Sequence, residues 1–282
     1  MTKTMAWLTR FGRQLPIQIL LLAFTLIWSY PFIWIVSSAF KSQSEMFLGG
    51  IGLIPKEPTF DNFLRAWDLA NFYQYFTNSV VVTVAVVVLV LIITSMAGYA
   101  LGRGNVPGKK WILGLLVVSM FLPKGFTILP LFELIVGMGF NNTLFSIILA
   151  ESGPSKIVSI LLFVGYFASL PKEIEESGRM DGAGYFRMFF SIMLPLSKPI
   201  IGTVTIFSFI SSWNAFFVPL IFTLGNPSLR TLGVGMYNFF GTNSVDWTGL
   251  AAGACMSVIP IFIVFLFLQR YFIEGLAGSI KG

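Results

Sequence analysis

The chain has 282 residues, 56% of them hydrophobic and only 11% charged, with a net charge of +6 and a mean hydropathy of +0.83. Soluble domains carry roughly a quarter charged residues, so this composition excludes a globular protein in water and leaves the bilayer as the solvent. A single cysteine, Cys255, excludes an internal disulfide, and the lack of histidine removes the commonest metal ligand and neutral-pH base.

A bilayer core of about 30 Å needs about 20 helical residues. Apolar windows of that order predict spans at Ile17–Ser38, Asn78–Leu101, Trp111–Val136, Pro154–Leu170, Ile200–Phe222 and Leu250–Phe272. The first is not followed by a small-residue cleavage site and reads as a retained helix. The third contains Pro123 and Pro130, which predict a bend. The fourth is short, set off by the break Glu151-Ser-Gly-Pro-Ser-Lys156 from Asn142–Ala150, expected as an interfacial or re-entrant helix. The fold class is therefore an all-α integral membrane protein with six transmembrane helices, read as one domain over 1–282 because no internal repeat interrupts it.

Lys and Arg orient these spans. With the N-terminus inside, Lys3, Arg10, Arg13, Arg103, Lys109, Lys110, Lys172, Arg179, Arg187, Lys198, Arg270 and Lys281 are cytoplasmic. Lys41, Lys56, Arg65, Lys156 and Arg230 are outside, and Lys124 lies within a span. Twelve against five places both termini in the cytoplasm. The scatter of these residues among loops gives no nucleic-acid footprint.

Between spans four and five, Pro171–Pro195 collects seven charged residues and falls on the cytoplasmic side. Lys172–Met180 favours a short helix with acids toward its N-terminal end, where the helix dipole favours them. Gly182-Ala-Gly184 permits a sharp turn, and Tyr185–Met193 a second short helix ended by Leu194-Pro195. Charge density alone fits a solvated connector; it also fits contact with a soluble partner.

Little chemistry is encoded. Arg103-Gly-Asn-Val-Pro-Gly-Lys-Lys110 lacks the first glycine and the Ser/Thr of a phosphate loop and reads as a basic turn. No nucleophile elbow, zinc-binding His pair or cluster of metal ligands occurs, so no catalytic residue and no metal site are assigned. Lys124 and Glu133, nine residues apart, lie about 180° round a helix and do not pair. Lys124 either snorkels toward the surface or lines a polar path.

The insert's spacing is specific. Glu176 is followed by Gly182, then by Ile192-Met-Leu194-Pro195 after nine residues. This resembles the Glu-Ala-Ala, three residues, Gly, nine residues, Ile-x-Leu-Pro signature of permease subunits of binding-protein-dependent ABC importers. Ser177 and Gly178 stand where the family has two alanines, and Gly178 loosens the helix by about 1 kcal/mol relative to Ala. Further resemblance to the carbohydrate-uptake, maltose-permease-like branch lies in Ser38-Ala-Phe-Lys41, Phe76-Thr-Asn-Ser79, Trp213-Asn-Ala-Phe-Phe-Val-Pro219-Leu220 and the run from Gln269-Arg-Tyr-Phe to Lys281-Gly282.

The resemblance implies a subunit without enzymatic activity that forms half of a sugar pathway in a bacterial or archaeal cell (inner) membrane. It implies a second homologous permease as heterodimer partner, two ATP-binding subunits that hold ATP and magnesium, and an extracytoplasmic sugar-binding protein. This chain itself would bind no cofactor. Glu175, Glu176, Ser177, Gly178, Asp181, Gly182, Ala183, Ile192, Leu194 and Pro195 would form the coupling element, with Glu176 the charged contact and Gly182 allowing close approach. Trp213, Asn214 and Phe217, with Lys124, are candidates for the solute path; for Trp213 and Asn214, interhelical packing is the competing reading. The sugar expected is an oligosaccharide or disaccharide. A self-contained carrier or channel is the alternative; it would call for inverted repeats or coupled intramembrane charges, and neither is visible.

Overall fold

The computed structural model describes residues 2–69, 71–153, 156–241 and 244–280, with side chains for 15–69, 71–123, 125–153, 156–241 and 244–271. Among the described residues the secondary structure is helical throughout, apart from one isolated bridge between Phe240 and Val245. Contacts divide the chain into two compact units, Met1–Leu69 with Asn238–Ser257, and Ala70–Tyr237 with Val258–Gly282. The sequence reads as one domain over 1–282.

The first unit begins with α1, Thr2–Ser38, which runs through Pro16 and Pro31. None of its apolar window is buried, and Trp28 is 71% exposed. A helix this apolar needs lipid or a partner around it. After it come α2, Gln43–Leu48, capped by the Ser42 hydroxyl, and α3, Asp61–Leu69.

Lys41 ends the Ser38-Ala-Phe-Lys41 motif and is only 2% exposed. Its Nζ donates to the Gly52 carbonyl, which fastens the 49–56 loop. Asn62 Nδ2 donates to the carbonyls of Ala39 and Lys41, both at 2.8 Å. Arg65 donates from Nε and Nη2 to the two oxygens of Asp246, each at 3.1 Å. Burial pushes the Asp246 carboxyl up. The Arg65 hydrogen bond, the Gly249 N–H, the Arg65 charge and the Thr248 hydroxyl outweigh it and hold the group below the usual carboxylate range.

The second unit is organised around α4, Phe72–Arg103, a 32-residue helix. Val82, Val86 and Val90 recur every four residues and are at most 1% exposed, marking its buried face. It packs on α7, Leu144–Ser152, on α8, Ile157–Ser169, and on α12, Lys198–Trp213. Gly98 and Gly102 let α8 approach, since a Cβ on Gly98 would lie 2.2 Å from Phe163 Cβ. At the other end of α4, the Phe76-Thr-Asn-Ser79 motif pins a loop. Asn78 Nδ2 donates to the Ser228 and Arg230 carbonyls at 2.8 and 2.9 Å, and Ser79 Oγ accepts from Leu232 N–H at 2.8 Å.

The described helices correct the expected spans in two places. Trp111–Val136 is not one helix but two, α5, Lys109–Ser119, and α6, Lys124–Gly137, parted at Pro123 with ψ 125°. A proline has no N–H to continue the ladder and pushes its predecessor out of helical space. Pro130 sits inside α6. Ile200–Phe222 is likewise divided into α12 and α13, Phe217–Phe222, around Asn214. The expected interfacial segment is α7, bent 51° from α8, while Pro154, the expected start of the fourth span, lies outside the described residues.

Among the described residues, three helices are long and apolar enough to cross a membrane unbroken: Leu15–Ser38, Phe72–Arg103 and Trp247–Tyr271. The last belongs to α15, Trp247–Ile280, preceded in chain order by the short α14, Leu232–Gly235.

Candidate coupling site

The polar insert folds as two packed arms. The first is α9, Glu173–Met180. The second runs through α10, Tyr185–Arg187, a π-helical turn, Met188–Met193, and α11, Leu194–Leu196. It bends by 78° into α12. The expected helix end at Met193 is therefore three residues early, since the arm continues to Leu196. The π turn widens the ladder just before Pro195, where the missing N–H and the ring would otherwise clash with the preceding carbonyls.

Two glycines shape the pair. Gly182 has φ +76°, a left-handed conformation that reverses the chain at little cost only without a Cβ. Gly178 is buried; a Cβ there would lie 2.7 Å from Met188 Cε and 3.0 Å from Ile192 Cδ1. Its carbonyl accepts from Ala183 N–H at 2.9 Å. The step that departs from the two alanines is thus the contact between the arms. Ala183, Ile192 and Leu194 are half-buried against the core, which includes Phe167, Met188, Phe189 and Met193.

The charged residues separate into two roles. Glu175 side-chain exposure is 12%; it lies 3.3 Å from Arg103 Nε and 3.9 Å from Arg179 Nη2. Arg103 Nε and Glu175 Oε1 are close without an aligned hydrogen bond, so their attraction is Coulombic. Glu176 is exposed and enters no ion pair among the described residues. Ser177, Asp181 and Pro195 are also exposed, beside Met180 at 88% and Phe186 at 68%. The exposed residues of the arms thus combine the carboxylates of Glu176 and Asp181 with the unburied apolar side chains of Met180 and Phe186, a surface chemistry suited to a protein partner.

A cleft of about 500 Å³ lies elsewhere in this unit, within the size range of small-molecule sites. Ser119, Thr127, Glu151, Ser211, Phe216 and Phe217 contribute to its lining. Glu151 is 9% exposed, and beyond the break Lys156, 6% exposed, donates from Nζ to Ser211 Oγ at 3.2 Å. Of the expected path residues whose side chains are described, Phe217 lines this cleft and Trp213 and Asn214 do not. Trp213 is 4% exposed, stacked on Phe209 at 5.6 Å and met edge-on by Phe76 at 5.6 Å. Asn214 is exposed and donates from Nδ2 to the Ile210 carbonyl at 3.0 Å, where it closes α12. The Lys124 side chain lies outside the described residues. Sequence reasoning passed over Glu151 and Ser211; a carboxylate between an apolar helix and a Gly-Pro break was the available signal. Among the described residues no cluster of three metal-ligating side chains occurs.

Comparison with known proteins accords with this geometry. Residues 94–277 match the family model described as "Binding-protein-dependent transport system inner membrane component". The chain is 35% identical over 270 residues to the probable ABC transporter permease protein YurM of Bacillus subtilis, covering 95% of this chain and 89% of that protein. It is 34% identical to the arabinooligosaccharides transport system permease protein AraQ of Halalkalibacterium halodurans, covering 90% and 91%. Among solved structures, a chain of a bacterial ABC transporter involved in the import of the acidic polysaccharide alginate superposes with a TM-score of 0.78 at 26% identity, covering 94% of this chain and 97% of that one. The chain belongs to the family of binding-protein-dependent transport system inner membrane components.

Proposed function

We propose that this chain is one permease half of an ATP-driven ABC importer for a carbohydrate, and that the two arms between Glu173 and Leu196 are where ATP-hydrolysing subunits dock. The observation that carries the reading is the exposed Glu176 on α9, held outward while Glu175 turns inward to Arg103. ATP and magnesium belong to the two docked subunits; their closure displaces the paired arms and reorients the spans. A homologous permease supplies the other half of the path, and an extracytoplasmic binding protein delivers the sugar.

The broken helices support a count of six spans, with α5–α6 and α12–α13 each crossing once despite their interruptions. The Lys/Arg balance supports both termini in the cytoplasm of a bacterial or archaeal cell. The permease domain is then the whole of 1–282. AraQ is named for arabinooligosaccharides, which favours an oligosaccharide here. In the cleft, Phe217 offers a ring to a sugar's C–H face and Glu151 and Ser211 offer hydrogen bonding to its hydroxyls; Trp213 and Asn214 support the walls from α12.

Reconstitution tests the reading. The full assembly in proteoliposomes takes up its sugar only when ATP is enclosed on the ATPase side. Uptake by this chain alone, without ATPase subunits, would refute it in favour of a self-contained carrier.

A further inference from the structure

Arg103 is the last residue of α4, yet its side chain is only 8% exposed. Arginines are seldom so buried without a specific partner. Its Nη2 donates to the Pro171 carbonyl at 2.8 Å, and its Nε lies 3.3 Å from Glu175 Oε1. One rigid guanidinium thus holds both the segment leading into α9 and the first turn of α9 itself.

The helix behind that arginine cannot yield easily. Gly102 sits where a Cβ would meet Val164 O at 3.1 Å and Phe167 Cβ at 3.2 Å, so α4 and α8 are in backbone contact. One turn before Arg103, the Tyr99 ring lies 5.5 Å from Phe167 on α8 and 5.3 Å from both Tyr185 and Phe189 on the second arm. By contrast, α9 meets the second arm at Gly178 through the free ends of Met188 and Ile192, which slide. The arginine grip, with Tyr99 beside the same Glu175 carboxylate, links α9 to the long helix.

We propose that Arg103 is a positioning residue that carries the displacement of α9 into α4, so that solute uptake stays proportional to ATP hydrolysis. The proposal rests on the importer reading and adds to it a residue outside the docking signature. Glu176 would set whether the ATPase docks; Arg103 and Glu175 would set whether docking moves the path.

The test uses the whole assembly in proteoliposomes, with uptake and ATP hydrolysis measured on the same vesicles. Arg103→Gln and Glu175→Gln are expected to lower uptake per ATP by about fivefold or more, the scale of an ordinary coupling free energy. In Arg103→Gln, which lies outside the docking arms, ATP hydrolysis stays stimulated by the loaded binding protein. Arg103→Lys keeps the charge but loses the fork, and its ratio falls between wild type and Arg103→Gln. A merely structural role would lower the yield of assembled complex at an unchanged ratio. That result, or one common ratio in all three variants, overturns the proposal. Absence of ATP-dependent uptake in the wild type would instead refute the importer reading.

Discussion

Gly98→Ala tests the seam on which the second unit is built. The new Cβ would lie 2.2 Å from Phe163 Cβ and 3.1 Å from the Phe163 carbonyl carbon. Carbon atoms rest comfortably at about 3.5–4.0 Å, and neither neighbour is the free end of a side chain. Helices α4 and α8 must therefore part by about 1 Å or more. Phe163 and Phe167 are 0% exposed and Tyr99 4%, so parting them forfeits close packing. Alanine favours the helix by about 1 kcal/mol over glycine, while overpacking costs about 1–3 kcal/mol and here falls at the upper end. The net loss is about 2 kcal/mol, which lowers the unfolding midpoint by about 4–8 °C for a chain of this size. Gly178→Ala is the matched control. Its Cβ meets Met188 Cε at 2.7 Å and Ile192 Cδ1 at 3.0 Å, both chain ends that can swing away. Propensity and crowding then offset each other, and the midpoint stays within about 4 °C. Thermal unfolding in one detergent at a fixed scan rate reads both variants. A Gly98→Ala protein as stable as wild type, or a Gly178→Ala protein that loses more, would refute the packing argument.

Three further outcomes are expected. Glu176→Lys reverses the charge of an exposed residue, so the permease reaches the membrane in normal amount while ATPase co-purification and uptake are lost; normal uptake would defeat the docking assignment. Phe217→Ala raises the half-saturating sugar concentration by about tenfold, worth 1.4 kcal/mol, with assembly unchanged, and an unaltered uptake curve removes Phe217 from the path. The Asp246 carboxylate lies below its ordinary value of 3.8. The stability it contributes is present above that value and is lost as the pH falls through the lower folded one. Hydrogen-exchange protection in 40–69, taken relative to the intrinsic rate, should accordingly fall in wild type below about pH 4, while Asp246→Asn is weakly protected already at pH 7. Equal protection in the two proteins at pH 7 would show that the Arg65 fork contributes nothing.

The membrane class, the α4 span and the two helical arms between Glu173 and Leu196 are legible because hydropathy and glycine spacing are properties of the chain itself. Gly182 follows from its neighbours alone, since a tight reversal between two helices needs a left-handed residue. The breaks within the third and fifth spans were less visible. Pro123 and Pro130 have the same local chemistry, yet one sits in the break just before α6 and the other is carried inside it. Which proline breaks a helix depends on whether neighbours satisfy the freed carbonyls.

The separation of Glu175 from Glu176 shows where sequence stops. Both are acids in one helical turn, and their composition assigns them one role. About 100° of helical rotation separates adjacent residues. Only the packing of α9 against α4 brings one carboxylate to Arg103 and leaves the other outside. Gly178 illustrates the same point, for in sequence it weakens a helix, whereas in the fold it is the space into which Met188 and Ile192 pack. By itself the sequence determined the solvent and the spacing from Glu176 through Gly182 to Pro195, both of which are local in the chain. The tertiary structure decided which side chains meet across 70 residues or more, because burial and distance arise only once the helices have packed.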